Sequence, residues 1–576
     1  MMALVASVFA TFLLLAAPAT HPATRAVDPM ANEAAAAARE RRLPAFALGL
    51  EAQLRTKLED PTKADLDEVI RLAMFRQHAR FFARVTEPGE GSIETIAWLA
   101  EQPRFAMALM LATSPFDPPD RVLEIVRALR QDYRGKTEEF ADLAAAVCVV
   151  WDEPERFGAE EGVPVDLAEV SRIFGYFAAG AQRMRIDPRK LPCVLLVYVV
   201  DGNLIEPEQH WAAERYGVGG VGAGADIAAA FFAVPYHDYP AYDRGRKGED
   251  DRAYVLPNIL RRGGNGADAA YFASNLAKLA GVPSAIIRGA AANDTARPAW
   301  VAFLDVGNRA FDLARHRDHA GWPGEAVDPQ TGQALAEADV AMLAGLMTTS
   351  SRDRLASLAL LQSSDLVAKE QRVALFRRAI DLSSAHRAAW WALADHAATE
   401  KFDAEQMKPI EELIGKHLKR SPEFALSLRV RMLKGRGSIE HAAGLKQAAE
   451  RVAGRPDLLA QIGLAIADRQ MEDKQYVDAT RVLIDVLKEH ATGPIALAVM
   501  IRLDDALRKQ EDVPRLARVY AEVFAALPKP AASKLGRTTA YYQIGEKYAA
   551  ALDEVDDSQA AAQVRVKINA IALPAQ

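Results

Sequence analysis

Apolar residues return at three- and four-residue intervals through most of this chain. In ADLDEVIRLAMFRQHARFFARV, Leu66, Val69, Ile70 and Ala73 share one helical face. Asp65, with Glu68 three residues on, predicts an N-terminal capping pair. Segments near 93–112, 120–132 and 137–151 read as further helices. The style changes in PSAIIRGA, AWVAFLDVG and RAFDLARH. These runs are short, richer in β-branched and aromatic residues, and split by turn chemistry such as DVGN, so they predict strands. Just ahead of them, ADAAYFASNLAKLAG predicts a helix closed by Gly281. From about residue 350 the pattern is helical again, with short polar joints.

In that last region QRVALFRRAIDLSSAHRAAWWALADHAA is the clearest unit. Phe376, Ala379, Trp390, Leu393 and Ala394 stand at the spacings of a tetratricopeptide junction, where small residues let paired helices approach. Ser384 stands where that motif usually has proline. YVDATRVLIDVLKEH resembles a weaker copy, and no strict 34-residue period runs through the text. The expectation is a degenerate solenoid of stacked helix pairs, with Phe376 and Trp390 in its core. Trp390 and Trp391 are adjacent and so face different directions on the helix; one reads as core and the other as a contact residue.

Composition changes this picture little. The chain has 576 residues, 50% hydrophobic and 26% charged, with a formal net charge of −7. No basic surplus points to nucleic acid. The N-terminus does add information. MMALVASVFATFLLLAAPAT has an apolar run from Ala3 to Ala17, shorter than the ~20 residues a membrane span needs. Small residues at Ala17 and Ala19 complete a segment that resembles a secretory signal peptide over residues 1–26. That predicts an exported protein, periplasmic or secreted, whose mature chain has no transmembrane segment. Its two cysteines, Cys148 and Cys193, lie in apolar runs and read as buried thiols rather than as a bridge.

The stretch GGNGADAAY, Gly263 to Tyr271, looks like an active-site entrance that lacks a nucleophile. Helix, strand, polar loop and hairpin then follow in the order VPSAIIRGA, AANDTARP, AWVAFLDVGNRAFDL. This order, with Gly263, Gly264, Asn265, Gly266, Ala267, Asp268 and later Ala299, Trp300, Val301, resembles the transglutaminase-like cysteine hydrolase core. In that superfamily a cysteine opens the helix, a histidine opens the next strand and an aspartate follows. The helix N-terminus favours the thiolate, the histidine moves the proton and the aspartate orients the histidine. The resemblance sets the cysteine position on Gly266, the histidine position on Pro298 and the aspartate on Asp312. It implies a pseudoenzyme with no catalytic residues and a candidate cleft of Asn265, Asp268, Trp300 and Asp312. It also implies that a thiol at 266 and an imidazole at 298 would meet.

Other motifs carry less. GVGGVG at 217–222 matches the dinucleotide fingerprint in text but follows a helix, so it reads as a loop. His316, Asp318 and His319 in FDLARHRDH form a weak metal pattern, read as a solvated segment. Tyr239 and Tyr242 are candidates for the cleft rim, and NDT at Asn293 fits a glycosylation sequon. No cofactor and no metal is expected. The resulting fold class is mainly α with a small α+β core. A helical region at 27–200 precedes a degenerate transglutaminase-like core at 201–347 and a helical-repeat domain at 348–576. The expected function is a non-catalytic scaffold whose repeats bind a protein or peptide. Two alternatives are an amide hydrolase that uses unassigned residues, and an envelope-assembly factor that holds peptide or cell-wall fragments.

Overall fold

The computed structural model describes residues 28–153, 166–202, 204–217, 224–237, 242, 248, 250–289, 297–319, 322–489 and 494–573. Residues 1–26, the glycine run beyond Gly217, Tyr239 and the Asn293 sequon lie outside them. Helices make up 69% of the structure, beside one antiparallel five-stranded sheet.

The helix Leu66–Phe82 starts where its cap predicts: Asp65 Oδ1 accepts from Asp67 N at 3.1 Å. The reciprocal half of the expected box is absent, because Glu68 pairs with Lys57 at 2.8 Å instead. The run near 93–112 is two helices, Glu90–Ala100 and Pro103–Ala112. Pro103 lacks an N–H and is suited only to a first turn, so it splits the periodic pattern. The two cysteines are buried free thiols.

The sheet comprises β1 (Ser284–Gly289), β2 (Ala299–Asp305), β3 (Ala310–Ala314), β4 (Gly324–Val327) and β5 (Ala334–Ala336), in the order β3-β2-β1-β4-β5. The three expected strands are there. β4 and β5 are four and three residues long, too short to show alternation in the text. The helix Gly266–Leu279 packs on one face, where Ser274 Oγ and Ser284 Oγ lie 3.0 Å apart. Side chains alternate across a strand. Ser284 pairs with Phe303, so Ala299, Val301 and Phe303 share the helix face. Trp300 points to the other face, where its Nε1 donates to Glu337 Oε2 at 3.0 Å.

Helices continue in antiparallel pairs after the sheet. From residue 387 the first helices of successive pairs start at Arg387, Pro422, Pro456 and Pro494, intervals of 35, 34 and 38 residues. The second helices start at Ala404, Ser438, Tyr476 and Val513, intervals of 34, 38 and 37. Side chains bridge neighbouring pairs at nearly the same interval, with Arg431 on Asp395 at 2.5 Å and Arg502 on Asp468 at 2.7 Å. Trp390 is fully buried and its Nε1 donates to Ser384 O at 2.9 Å. Trp391 faces the sheet unit, donating to Asp339 Oδ1 at 3.0 Å. Arg387 pairs with Asp328 beside it. Buried Arg76 ties the N-terminal helices to this region through Asp365 at 2.5 Å and Gln362 O at 2.9 Å. One hydrophobic core therefore runs from Ala31 to Ile571, with a small second cluster around Leu445 and Ile462.

Trp390→Ala should cost roughly 3–5 kcal/mol, since it empties a fully enclosed site; a urea midpoint equal to the native protein's would disprove that packing. Acid should also weaken the fold. His78 is fully buried, its Nε2 lies 3.1 Å from Ile96 O, and its Nδ1 has no partner. Burial pushes it down to about 4. The unfolded chain then binds a proton below its ordinary 6.5 that the folded chain refuses. Stability is full above that value and falls as pH drops toward 4, by up to on the order of 3 kcal/mol. His78→Gln should lose less stability than the native chain between pH 7 and pH 4.5 in parallel urea titrations.

Candidate functional site

The entrance to the Gly266–Leu279 helix is fixed by its neighbours before any chemistry is considered. Gly264 N donates to Pro235 O at 2.8 Å, and His237 N donates to Gly264 O at 2.9 Å. Gly263 has φ +81°, and a Cβ there would stand 2.0 Å from Pro235 O, so only glycine fits. Tyr242, expected on the cleft rim, is buried; its hydroxyl reaches Gly263 O, and Asn258 O at 3.2 Å. Asn265 is the N-cap, accepting from Ala267 N at 2.9 Å and Asp268 N at 3.1 Å. Asp268 answers from the first turn by accepting Asn265 N at 2.8 Å, a full capping box. Tyr254 also donates to Asp268, at 3.1 Å. Two of the four candidate cleft residues, Asn265 and Asp268, are thus committed to capping.

Gly266 stands directly over the start of β2. A Cβ on it would lie 3.2 Å from Ala299 O and 3.3 Å from Ala299 N. The chain positions 266 and 298 are therefore close, but their side-chain directions are not shared. The Pro298 ring is packed with Trp300: a Cβ on Gly289 would stand 2.8 Å from Pro298 Cγ and 2.9 Å from the Trp300 ring. That is the face turned away from the helix. Gly266 looks at the strand from the helix side.

Asp312 is elsewhere again. It pairs across the hairpin with Phe303, five positions along β2 from Pro298. At about 3.3 Å per residue that is roughly 17 Å away, too far to orient a group at 298. The expected in-register aspartate is therefore not brought to the other two positions. The hairpin turns later than a 14-residue separation requires: Asp305 pairs with Ala310, so Asp312 falls near the turn. Burial, with the Asp305 carboxylate beside it, raises Asp312 above the usual carboxylate range. Trp300, the fourth candidate, lies on the far face with Arg315 over its ring at 5.4 Å.

The side chain that does approach the Gly266 side of the sheet is His316. Val301 pairs with Ala314, and two more residues in that register set Ala299 beside His316. Its ring lies 5.3 Å from both Phe231 and Phe232 and 6.4 Å from Tyr236. The signal was available in the alternation of Asp312, Ala314 and His316. It was obscured because FDLARHRDH reads as a polar tail. His319 departs from that reading too, being buried rather than solvated. Among the described residues no group of three metal-binding side chains comes together.

Neither thiol reaches this region. Burial pushes Cys148 and Cys193 well above the usual thiol range, in Cys148 with Asp152 adding to it and in Cys193 with Asp142. Among the described residues no helix is long and apolar enough to cross a membrane. No family model matches the chain, and neither a curated protein nor a solved structure matches it.

The geometry makes a direct prediction. Gly266→Cys with Pro298→His should label no faster with a thiol reagent between pH 6 and pH 8 than Gly266→Cys alone, because the two side chains leave opposite faces of β2. Faster labelling of the double variant near neutral pH would put the imidazole on the thiol and overturn this placement.

Proposed function

We propose that this chain is an exported, non-catalytic protein in which a degenerate transglutaminase-like core carries tetratricopeptide-like helix pairs that hold a protein or peptide. The observation behind the non-catalytic part is the filling of positions 266 and 298. Gly266 abuts the Ala299 backbone, and Pro298 packs on Gly289 and Trp300. Glycine supplies no nucleophile and proline no titratable group. Losing one member of such a triad costs several orders of magnitude in rate, and two are missing. No rescue comes from Cys148 or Cys193, since a buried thiol with a raised pKa is a poor nucleophile.

The binding part rests on the helix pairs. Phe376, Ala379, Trp390, Leu393 and Ala394 are all buried, as a tetratricopeptide junction requires. Pairs stacked at a steady interval form an extended surface, and each pair adds one more strip to it. Export rests on the N-terminal apolar run and the small residues after it.

Two measurements on the purified chain test this reading. Cys148 and Cys193 should stay unlabelled at neutral pH in the native state and label fully in denaturant, with no amide hydrolysis detected. A thiol that labels fast, with turnover lost on labelling, would establish the hydrolase alternative. For the binding part, a peptide ligand at about 100 times its Kd should add on the order of 2.7 kcal/mol to stability. Screening extended peptides and cell-wall fragments by thermal shift separates a peptide-binding scaffold from an envelope-assembly factor.

A further inference from the structure

The segment between the last two helix pairs meets the sheet unit at a buried polar contact. His319 follows β3, and its Nε2 lies 2.9 Å from Thr538 Oγ1, in the segment between the last two helix pairs. The partners are 219 residues apart in sequence. Both are closed off from solvent, His319 at 1% exposure and Thr538 at 6%. Thr538 spends its own hydroxyl proton on Leu535 O at 2.8 Å. It therefore accepts from His319, which fixes the Nε2–H tautomer. Nδ1 is left with its lone pair inward, buried and without a partner.

We propose that the His319–Thr538 contact is a proton-operated latch, holding the last helices, around Thr538, against the sheet unit at neutral pH and releasing them on protonation of the imidazole. A second proton would sit on Nδ1, where no acceptor awaits it. A buried charged donor without a partner is strongly disfavoured. The surrounding charges oppose it as well. Arg315 and His316 act on it from its own segment, the Trp322 ring stands 5.6 Å away, and Arg537 neighbours Thr538 in the facing segment. Burial first, then His316 and Arg315, push it down to about 4 from an ordinary 6.5. Once the contact opens, the imidazole regains water and its ordinary affinity. The open form then gains about 20-fold over the closed form between pH 7 and pH 5. The latch is independent of what the helix pairs bind.

The test uses the full chain with Asn308→Cys and Lys534→Cys, both exposed, carrying a donor and acceptor dye. The native thiols are buried and stay unlabelled. Energy transfer should fall from pH 7 to pH 5 while the far-ultraviolet helix signal is unchanged. His319→Gln keeps an N–H for Thr538 but cannot titrate, so its transfer should stay high across that range. Thr538→Val removes the acceptor and should move release to higher pH. The proposal fails if the native chain shows no change, if His319→Gln falls in parallel with it, or if the helix signal is lost in the same step.

Discussion

Every residue from Asp268 to Leu279 is buried, so the Gly266–Leu279 helix has no wet face. A helix of that kind stands only if other elements cover it on all sides. The sheet covers one side through Ser284, and the Gly224–Ala233 helix lies against it and against β2. Lys278, in the last turn of the helix, cannot be left unpaired in such a place. It meets Asp201 at 2.8 Å, and Asp201 follows the largely buried helix Cys193–Val200. A single ion pair therefore ties the core helix to the end of the N-terminal region. The small sheet is covered on its second face too, by the helix Glu337–Met342. This is why the chain keeps one continuous core although its pattern changes twice along the sequence.

The joint to the C-terminal helices follows the same logic. Arg387 and Trp391 reach into the sheet unit for Asp328 and Asp339, and each adds a partner to a buried carboxylate; Asp328 also accepts from Gln330 N at 2.9 Å and Thr331 N at 3.1 Å. Burial raises Asp339, and the Arg387 charge with the Trp391 N–H holds it down in part. A polar joint of this kind fixes an orientation more than it adds stability, because desolvation offsets much of the Coulomb attraction.

Long periodic segments were readable from the text, and short or contact-defined features were not. The Leu66–Phe82 helix, the stop at Gly281 and the three strands around Trp300 follow from spacing and turn residues alone. β4 and β5 are held by pairing with β1 and with each other, and a three-residue strand carries no period to find. Within the site, the capping roles of Asn265 and Asp268 were encoded locally. The position of Asp312 was not, because register depends on where the hairpin turns. A count of residues from Pro298 misses that by five positions. His316 was hidden for a similar reason, since its neighbours Phe231 and Tyr236 are some 80 residues upstream.

The two positions assigned to a cysteine and a histidine carry residues chosen by packing. Even one added carbon at 266 presses on the Ala299 backbone, and backbone in a paired strand has little room to yield. Pro298 closes the end of β2 against Gly289, accepting the Gly289 N–H at 2.8 Å through its own carbonyl. Its ring fills the space beside Trp300. An active thiol–imidazole pair needs a gap there wide enough for a substrate and a histidine free to face the helix. The packing around Gly266 and Pro298 removes both conditions together. A cysteine at 266 and a histidine at 298 therefore do not by themselves bring a thiol to an imidazole, because the strand end would also have to turn over.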